Sequence, residues 1–297
     1  MRTPTPGQPD RIEDGLRRIL APNPGPMTHW GTNTFILGEG SVAIVDPGPE
    51  DMAHLHAIEN AVRGETVTHI LVTHPHRDHS PLARHLSRRT GAPILGFGPP
   101  EAGRSSTMDK LASAGLAGGG EGVDTAFAPD IALSDGDLVT GDGWQVRALH
   151  TPGHFAGHLA FEFLDVAISG DHVMDWSSSL ISPPDGDLTA FMATCARLRD
   201  EDHRRLMPAH GAHIDDPADR LGWLIRHRQA REAQLLNALG TSPKSVADLA
   251  AAVYRDIPTE MLPGAERNVF AHLIDLHERG VVGARPHLAA DAFFTLI

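Results

Sequence analysis

The chain has 297 residues, of which 41% are hydrophobic and 21% charged, the balance of a folded globular protein and not of a disordered or fibrous one. A formal net charge of −13 argues against a protein that adheres to nucleic acid, since that attraction comes from Lys and Arg on phosphates. The single cysteine, Cys195, rules out an internal disulfide and makes a reducing cytoplasm the default location. No apolar run reaches the length of a membrane span, and the opening Met1-Arg2-Thr3-Pro4-Thr5-Pro6 lacks the apolar centre of a signal peptide, so no membrane partner is expected.

Residues 1–26 are rich in Pro and Gly around a short helix expected near Arg11–Leu20. Asn33–Gly38 and Ser41–Asp46 read as two strands joined by a glycine turn, closed by Asp46-Pro47-Gly48. Ala53–Arg63 is a helix ended by Gly64. The run His69-Ile70-Leu71-Val72-Thr73 reads as a buried strand, and Ser80-Pro81 as a helix start with Ser80 at the N-cap. Between them stands His74-Pro75-His76-Arg77-Asp78-His79, three imidazoles and a carboxylate on one strand-to-helix turn. In extended chain His74 and His76 point the same way, while Asp78 and His79 lie around the bend, so the spacing offers two coordination points. Ala92–Gly96 is a further strand.

Residues 97–130 break the rhythm: Pro99-Pro100, Ser105-Ser106 and the stretch Ala117–Gly122 predict a mobile insertion with one short helix near Met108–Ala114, either a lid or a loose surface insert. Strands return at Asp137–Val139 and Trp144–Leu149, the second running into His150-Thr151-Pro152-Gly153-His154; the hairpin Leu159–Phe163 and Val166–Ser169 ends in Gly170-Asp171-His172. A Ser/Pro/Gly loop, 177–187, leads to a helix from Leu188 to Leu198, on whose apolar face Cys195 reads as a packed core thiol. Leu206–Ala209 precedes His210-Gly211. Asp46, His74, His154, Asp171 and His210 thus stand at or just past the carboxyl ends of strands, where α/β proteins gather ligands. Pro217–Leu239 is a long charged helix, and beyond Gly240 the chain reads as helix (Val246–Tyr254, with Ser245 and Asp248 in a capping box), helix (Ala265–Arg279) and two short strands, Val281-Val282 and Phe293–Ile297.

These motifs carry a resemblance over nearly the whole chain. The HxHxDH run, His154 in Thr-Pro-Gly-His, Asp171 in Ser-Gly-Asp and His210 in Ala-His-Gly resemble the metallo-β-lactamase fold superfamily, in the branch with a C-terminal winged helix. The resemblance implies an αββα sandwich, of α/β (α+β) class, over 1–215, a connecting helix over 216–239 and a winged-helix-like domain over 240–297. By that match His74, His76 and His154 hold one metal ion, Asp78, His79 and His210 a second, and Asp171 bridges them. Asp46 supports the metal loop from behind. His150, His158 and His172 take supporting or packing roles. The implied cofactors are two divalent cations, zinc first, with iron or manganese also suited to mixed His and carboxylate ligands. Two such ions share a hydroxide that serves as nucleophile, with Asp78 the carboxylate best placed to move a proton.

The absence of a Cys near the motifs sets the chain apart from the exported β-lactamases. The leading expectation is a binuclear hydrolase of a small ester, thioester or related cytoplasmic compound. The branch also holds a mitochondrial single-strand endoribonuclease, but residues 240–297 carry five basic against seven acidic side chains and no basic patch, which disfavours a nucleic acid partner. A mononuclear iron persulfide dioxygenase is the third alternative, and the full set of seven ligands speaks against it. The tail is expected to pack on the catalytic domain or to build a homodimer.

Overall fold

The computed structural model describes residues 3–118 and 122–297. Seven strands form the first sheet in chain order: β1 (Pro9–Glu13), β2 (Leu16–Leu20), β3 (Asn33–Leu37), β4 (Ser41–Val45), β5 (Thr66–Leu71), β6 (Ile94–Gly96) and β7 (Ile131–Ala132). The first four pair antiparallel, and β4 to β7 run parallel. The parallel half needs crossovers, which α1 (Met52–Ala61) and α2 (Pro81–Thr90) supply. The second sheet comprises β8 (Leu138–Gly141), β9 (Trp144–His150), β10 (Leu159–Phe163), β11 (Val166–Gly170) and β12 (Arg205–Pro208), with only β12 parallel to its neighbour. Helix α4 (Leu188–Arg199) is the crossover to β12.

Alternation along the strands builds the layers. Phe35, Leu37, Ala43, Val45 and Leu71 face the second sheet and pack on Val146, Leu159, Phe161 and Ile168. Their neighbours Ile36, Val42, Ile44 and Ile70 face the other way, onto Leu55 and Ile58 of α1 and Leu82 and Leu86 of α2. Leu149, Ala160 and Ala167 of the second sheet meet Phe191, Cys195 and Leu198 of α4 and Leu221 and Leu224 of α5 (Pro217–Leu239). The result is helix, sheet, sheet, helix, with every strand end that carries a candidate ligand at one edge of the sandwich.

Two expectations fail here. The helix expected near Arg11–Leu20 is the β1–β2 hairpin, turned at Asp14-Gly15. Leu16 and Ile19, which a helix would put on one face, fall on opposite faces of the sheet, Leu16 in the inter-sheet core and Ile19 under the helices. Tertiary packing on both faces outweighs a weak local preference. The insertion 97–130 is also not loose where it is described. Helix α3 (Ser106–Ser113) sinks Met108 and Leu111 into the core of the C-terminal domain. Farther on, Val123 bridges His76 in an antiparallel contact, Arg77 N–H donates to the Gly122 carbonyl at 3.0 Å, and Asp124 N–H donates to the Pro75 carbonyl at 2.8 Å. The Gly119–Glu121 part of the glycine stretch lies outside the described residues.

The tail folds as α6 (Val246–Val253), α7 (Leu262–Glu278) and the ribbon β13 (Val282–Arg285) with β14 (Phe293–Leu296), a winged-helix arrangement. Ser245 and Asp248 form the capping box. Pro263 lies within the first turn of α7, where its missing N–H costs nothing, so the helix begins before the expected Ala265. Val269, Phe270, Leu273, Ile274 and Leu276 of α7 pack on Leu249 of α6, Phe294 of β14 and Leu235 and Leu239 at the end of α5. Helix α5 therefore contributes to both cores. No helix of the described residues is long and apolar enough to cross a membrane.

Candidate metal centre

The site is built on Asp46, at the carboxyl end of β4. Its side chain accepts from Thr73 N–H (2.8 Å), from the Thr73 hydroxyl (2.8 Å) and from His79 Nδ1–H (2.9 Å). One buried carboxylate thus ties the strand-to-helix turn after β5 to the end of the neighbouring strand β4. The Thr73 hydroxyl, having donated its proton to Asp46, accepts from His74 Nδ1–H at 3.0 Å. His154 Nδ1–H donates to the Leu180 carbonyl at 2.8 Å, and His210 Nδ1–H to the Gly31 carbonyl at 3.2 Å. Four imidazoles therefore have Nδ1 occupied and Nε2 bare, the arrangement that readies a histidine as a ligand.

The bare nitrogens converge in two groups. His74 Nε2 lies 2.9 Å and His154 Nε2 3.2 Å from His76 Nδ1. His76 Nδ1 is thus the meeting point of two bare nitrogens, and three ring nitrogens face one shared point. In the second group His210 Nε2 is 3.1 Å from Asp78 Oδ2, and His79 Nε2 is 3.3 Å from the same oxygen. Asp171 belongs to both groups. Its Oδ1 stands 3.2 Å from His210 Nε2 and 3.5 Å from His79 Nε2, and its Oδ2 stands 3.6 Å from His154 Nε2 and 3.9 Å from His74 Nε2. All seven residues named from the sequence, His74, His76, Asp78, His79, His154, Asp171 and His210, are buried and drawn together in this way.

Both Asp78 oxygens, His79 Nε2 and Asp171 Oδ1 are buried without a hydrogen-bond partner. A native protein rarely leaves such atoms orphaned, and here they are acceptors that converge; the donor set fits divalent cations. The electrostatics agree. Burial, with His154 next to it, pushes His76 down to about 3, and burial with His79 and His76 beside it pushes His74 well below the ordinary value, so both are neutral lone-pair donors. Burial alone would lower His210 as well, but Asp171 and Asp78 push it up to about 10. Burial would raise the two carboxyls, yet His79 and His210 hold both well below the usual carboxylate range. The upward pull on His210 comes from two carboxylates facing one point, the place where a cation would sit.

The supporting residues are equally specific. His158 donates from Nδ1 to the Thr151 hydroxyl (2.7 Å) and accepts the Asp171 backbone N–H on Nε2 (3.3 Å). Residue 170 must be glycine: its φ is +51° and a Cβ there would lie 2.5 Å from His158 Nε2. His172 turns away, with Nε2 3.6 Å from Cys195 Sγ, and His150 donates to the Ala156 carbonyl at 3.0 Å while stacking on Phe97. Burial pushes the Cys195 thiol up to about 12, which leaves it a core group. Ser80 does not cap α2; its hydroxyl donates to Asp124 of the insertion at 2.8 Å and so holds the insertion against the metal loop. The carbonyls of Gly31 and Leu180 could not be anticipated, because a backbone acceptor leaves no mark on residue identity.

Elsewhere, Glu162, Glu201 and His203 form another cluster of His and carboxylate groups, but Arg147 already grips both Glu162 oxygens at 3.0 and 2.6 Å, so that cluster is an ion-pair network. A cavity of about 600 Å³ on the C-terminal domain is lined by side chains of both signs, Lys244, Arg255, Asp248 and Asp256 among them, and none of the seven residues reaches it.

The family description "Metallo-beta-lactamase superfamily" matches residues 27–210, and "Beta-lactamase associated winged helix domain" matches 245–285. The chain belongs to the metallo-beta-lactamase superfamily. Its hydrolase character and its metal-binding His and Asp residues go with that membership. The Beta-lactamase-like protein 2 homolog of Drosophila melanogaster is 30% identical over 91% of this chain and 90% of its own length. An atrochrysone carboxyl ACP thioesterase of Cryptosporiopsis is 29% identical over 77% of this chain and 64% of its own. A metallo-beta-lactamase family protein from Thermus thermophilus, 25% identical, superposes with a TM-score of 0.77 over 97% of this chain and all of that one.

Proposed function

We propose that this member of the superfamily is a binuclear hydrolase of small thioesters or esters, with His74, His76 and His154 holding one divalent ion, Asp78, His79 and His210 the other, and Asp171 shared. The observation that carries the reading is Asp171, whose two oxygens face two different groups of bare imidazole nitrogens. Two divalent ions held there, zinc being the first choice for such ligands, would lower the pKa of a shared water and polarise a substrate carbonyl. The protein's own part is positional. Asp46, Gly31 and Leu180 fix which imidazole nitrogen points inward, and all seven side chains are buried. Asp78 turns Oδ2 to His79 and His210, and as the carboxylate of the second group it is the residue this reading assigns to passing a proton from the attacking water to the leaving thiolate or alkoxide. No Ser or Cys nucleophile is required.

The thioesterase among the relatives supports the choice of substrate class. Against ribonuclease action, basic side chains of the tail are spent internally: Arg267 donates to the Ala117 carbonyl and Ser182, and Arg279 pairs with Glu232 and Asp275. Metal-loaded protein given acetyl and butyryl thioesters of N-acetylcysteamine should release thiol, stop on chelation and resume on adding metal. No thiol release, with cleavage of single-stranded RNA by the same preparation, would overturn the reading.

A further inference from the structure

We propose that the cavity between the loops that orient the metal ligands and the winged-helix domain is an acyl pocket, shaped to receive the uncharged apolar chain of the substrate's acyl group. The inference rests on the thioester and ester reading above and specifies which half of such a molecule the protein recognises.

The cavity has a volume of about 290 Å³. One side is Met27, Trp176 and Leu180 of the catalytic domain, and the other is Tyr254, Ile257 and Met261 of the tail. Its near walls are the segments that orient the ligands. Leu180, whose carbonyl fixes His154, puts its side chain into the wall, and Met27 lies four residues before Gly31, whose carbonyl fixes His210. Trp176 abuts the residue next to His210. Gly211 has φ +88°, and a Cβ there would lie 2.7 Å from Trp176 Cδ1, so only glycine lets the indole come this close. The indole is held in place by stacking on His29 at 4.8 Å, and His29 stacks in turn on Trp30 at 4.9 Å. The cavity wall and the carbonyls that orient His154 and His210 are thus carried by the same two short segments.

Its chemistry selects the occupant. None of the fourteen lining residues is charged, so nothing here pairs with a phosphate or a carboxylate. The amide of Asn268 is already committed: its Oδ1 accepts from Ile181 N–H at 3.1 Å and from Arg228 at 3.0 Å, and its Nδ2 donates to the Gly264 carbonyl at 3.3 Å. Trp176 and Met261 remain 36% and 38% exposed, apolar surface that an apolar ligand would cover. At about 30 Å³ per water-sized group the space takes about ten non-hydrogen atoms, an acyl chain of about eight carbons or a fused aromatic ring pair. A polar or charged thiol carrier would lie outward, away from the pocket.

The test is a series of acetyl, butyryl, hexanoyl and octanoyl thioesters of N-acetylcysteamine with the full-length, metal-loaded protein. The expected result is a kcat/KM that rises about fourfold per added methylene up to about eight carbons and then levels, chiefly through KM. Gly264→Leu puts a side chain into open space, with only Leu180 Cδ1 within 4 Å, at 3.8 Å, and should cut the octanoyl-to-acetyl ratio at least tenfold. Met261→Ala should move the optimum to longer chains; metal content reports whether each variant is folded. Independently of turnover, octanoate but not acetate should quench tryptophan fluorescence, and Trp176→Phe or Gly264→Leu should abolish the response. Thioesters hydrolysed with a flat chain-length profile, unchanged in Gly264→Leu, would overturn the pocket and leave the hydrolase standing. Octanoate binding at Trp176 without any thioester hydrolysis would uphold the pocket and overturn the hydrolase reading.

Discussion

At the edge of the sandwich, Asp78, His79 and Asp171 bury four polar atoms without hydrogen-bond partners; on the seam between α5 and α7, Arg228, Arg231 and His272 bury four more. In the first place the orphans are carboxylate oxygens and a bare imidazole nitrogen, with His210 Nε2 3.1 and 3.2 Å from the two carboxylates. In the second they are guanidinium nitrogens and an imidazole surrounded by cations. Burial pushes His272 well below its ordinary pKa, and Arg228 and Arg231 lower it further. Arg228 still has work in the seam: it donates to the Ser179 carbonyl and to Asn268, whose Oδ1 also accepts from Ile181 N–H, and so fastens the loop that carries Leu180. Orphaned polar atoms therefore point to a cation only where lone pairs converge. Where donors are packed among cations they are a cost of joining two helices, offset by the hydrophobic contacts of α7.

Removing metal tests that contrast most severely. Exhaustive chelation should abolish thioester hydrolysis, and protein purified without chelator should carry close to two equivalents of divalent metal by elemental analysis; one equivalent of iron with oxygen uptake would break the two-group account. Asp171→Asn comes next, because the amide lacks the charge that both groups share: removing one partner of a buried charged cluster corresponds to a loss of about a hundred- to a thousandfold in kcat. His172→Ala, one residue on but facing Cys195, should cost less than tenfold, and equal losses would show the two residues to be misassigned. Asp46→Asn leaves every ligand in place and weakens the hold on His79 and Thr73, so metal titration should show affinity reduced about ten- to a hundredfold. The smallest effect belongs to the seam. A buried histidine whose folded pKa lies below 6.5 stays neutral while the unfolded chain takes up a proton, so its contribution to stability is full above about pH 6.5 and falls as the pH drops below it. His272→Leu removes two orphaned atoms, should raise stability by about 1 kcal/mol at pH 8, and should shrink the loss in Tm between pH 8 and pH 5 without changing metal content.

Particular residues show how far a linear reading reaches. The run His74 to His79, and the ends of β4, β11 and β12 at Asp46, Asp171 and His210, were legible because a ligand set needs definite residue types at definite strand ends. The capping box at Ser245 and the apolar face of α7 were legible for the same reason, since their signals are periodic and local. Arg11–Leu20 was not: Leu16 and Ile19 suit a helix face as well as two faces of a strand, and only pairing with β3 decides between them.

Read as a string, then, the chain already carried the His/Asp run, the acidic and imidazole groups at strand ends and the helix-helix-strand order of the tail, because each depends on side-chain chemistry or on a pattern within one segment; the layered sandwich and the full ligand assignment came from the resemblance those motifs carry. The three-dimensional fold alone decided that the insertion anchors Met108 and Leu111 in the tail, that Ser80 serves Asp124 instead of its own helix, and that the carbonyls of Gly31 and Leu180 set the histidine tautomers. It alone placed the uncharged cavity between Trp176 and Tyr254. The physical reason is common to all of these: they are contacts between segments far apart in the chain, made by backbone groups or by ordinary apolar side chains. Their energy comes from proximity, which residue identity does not encode.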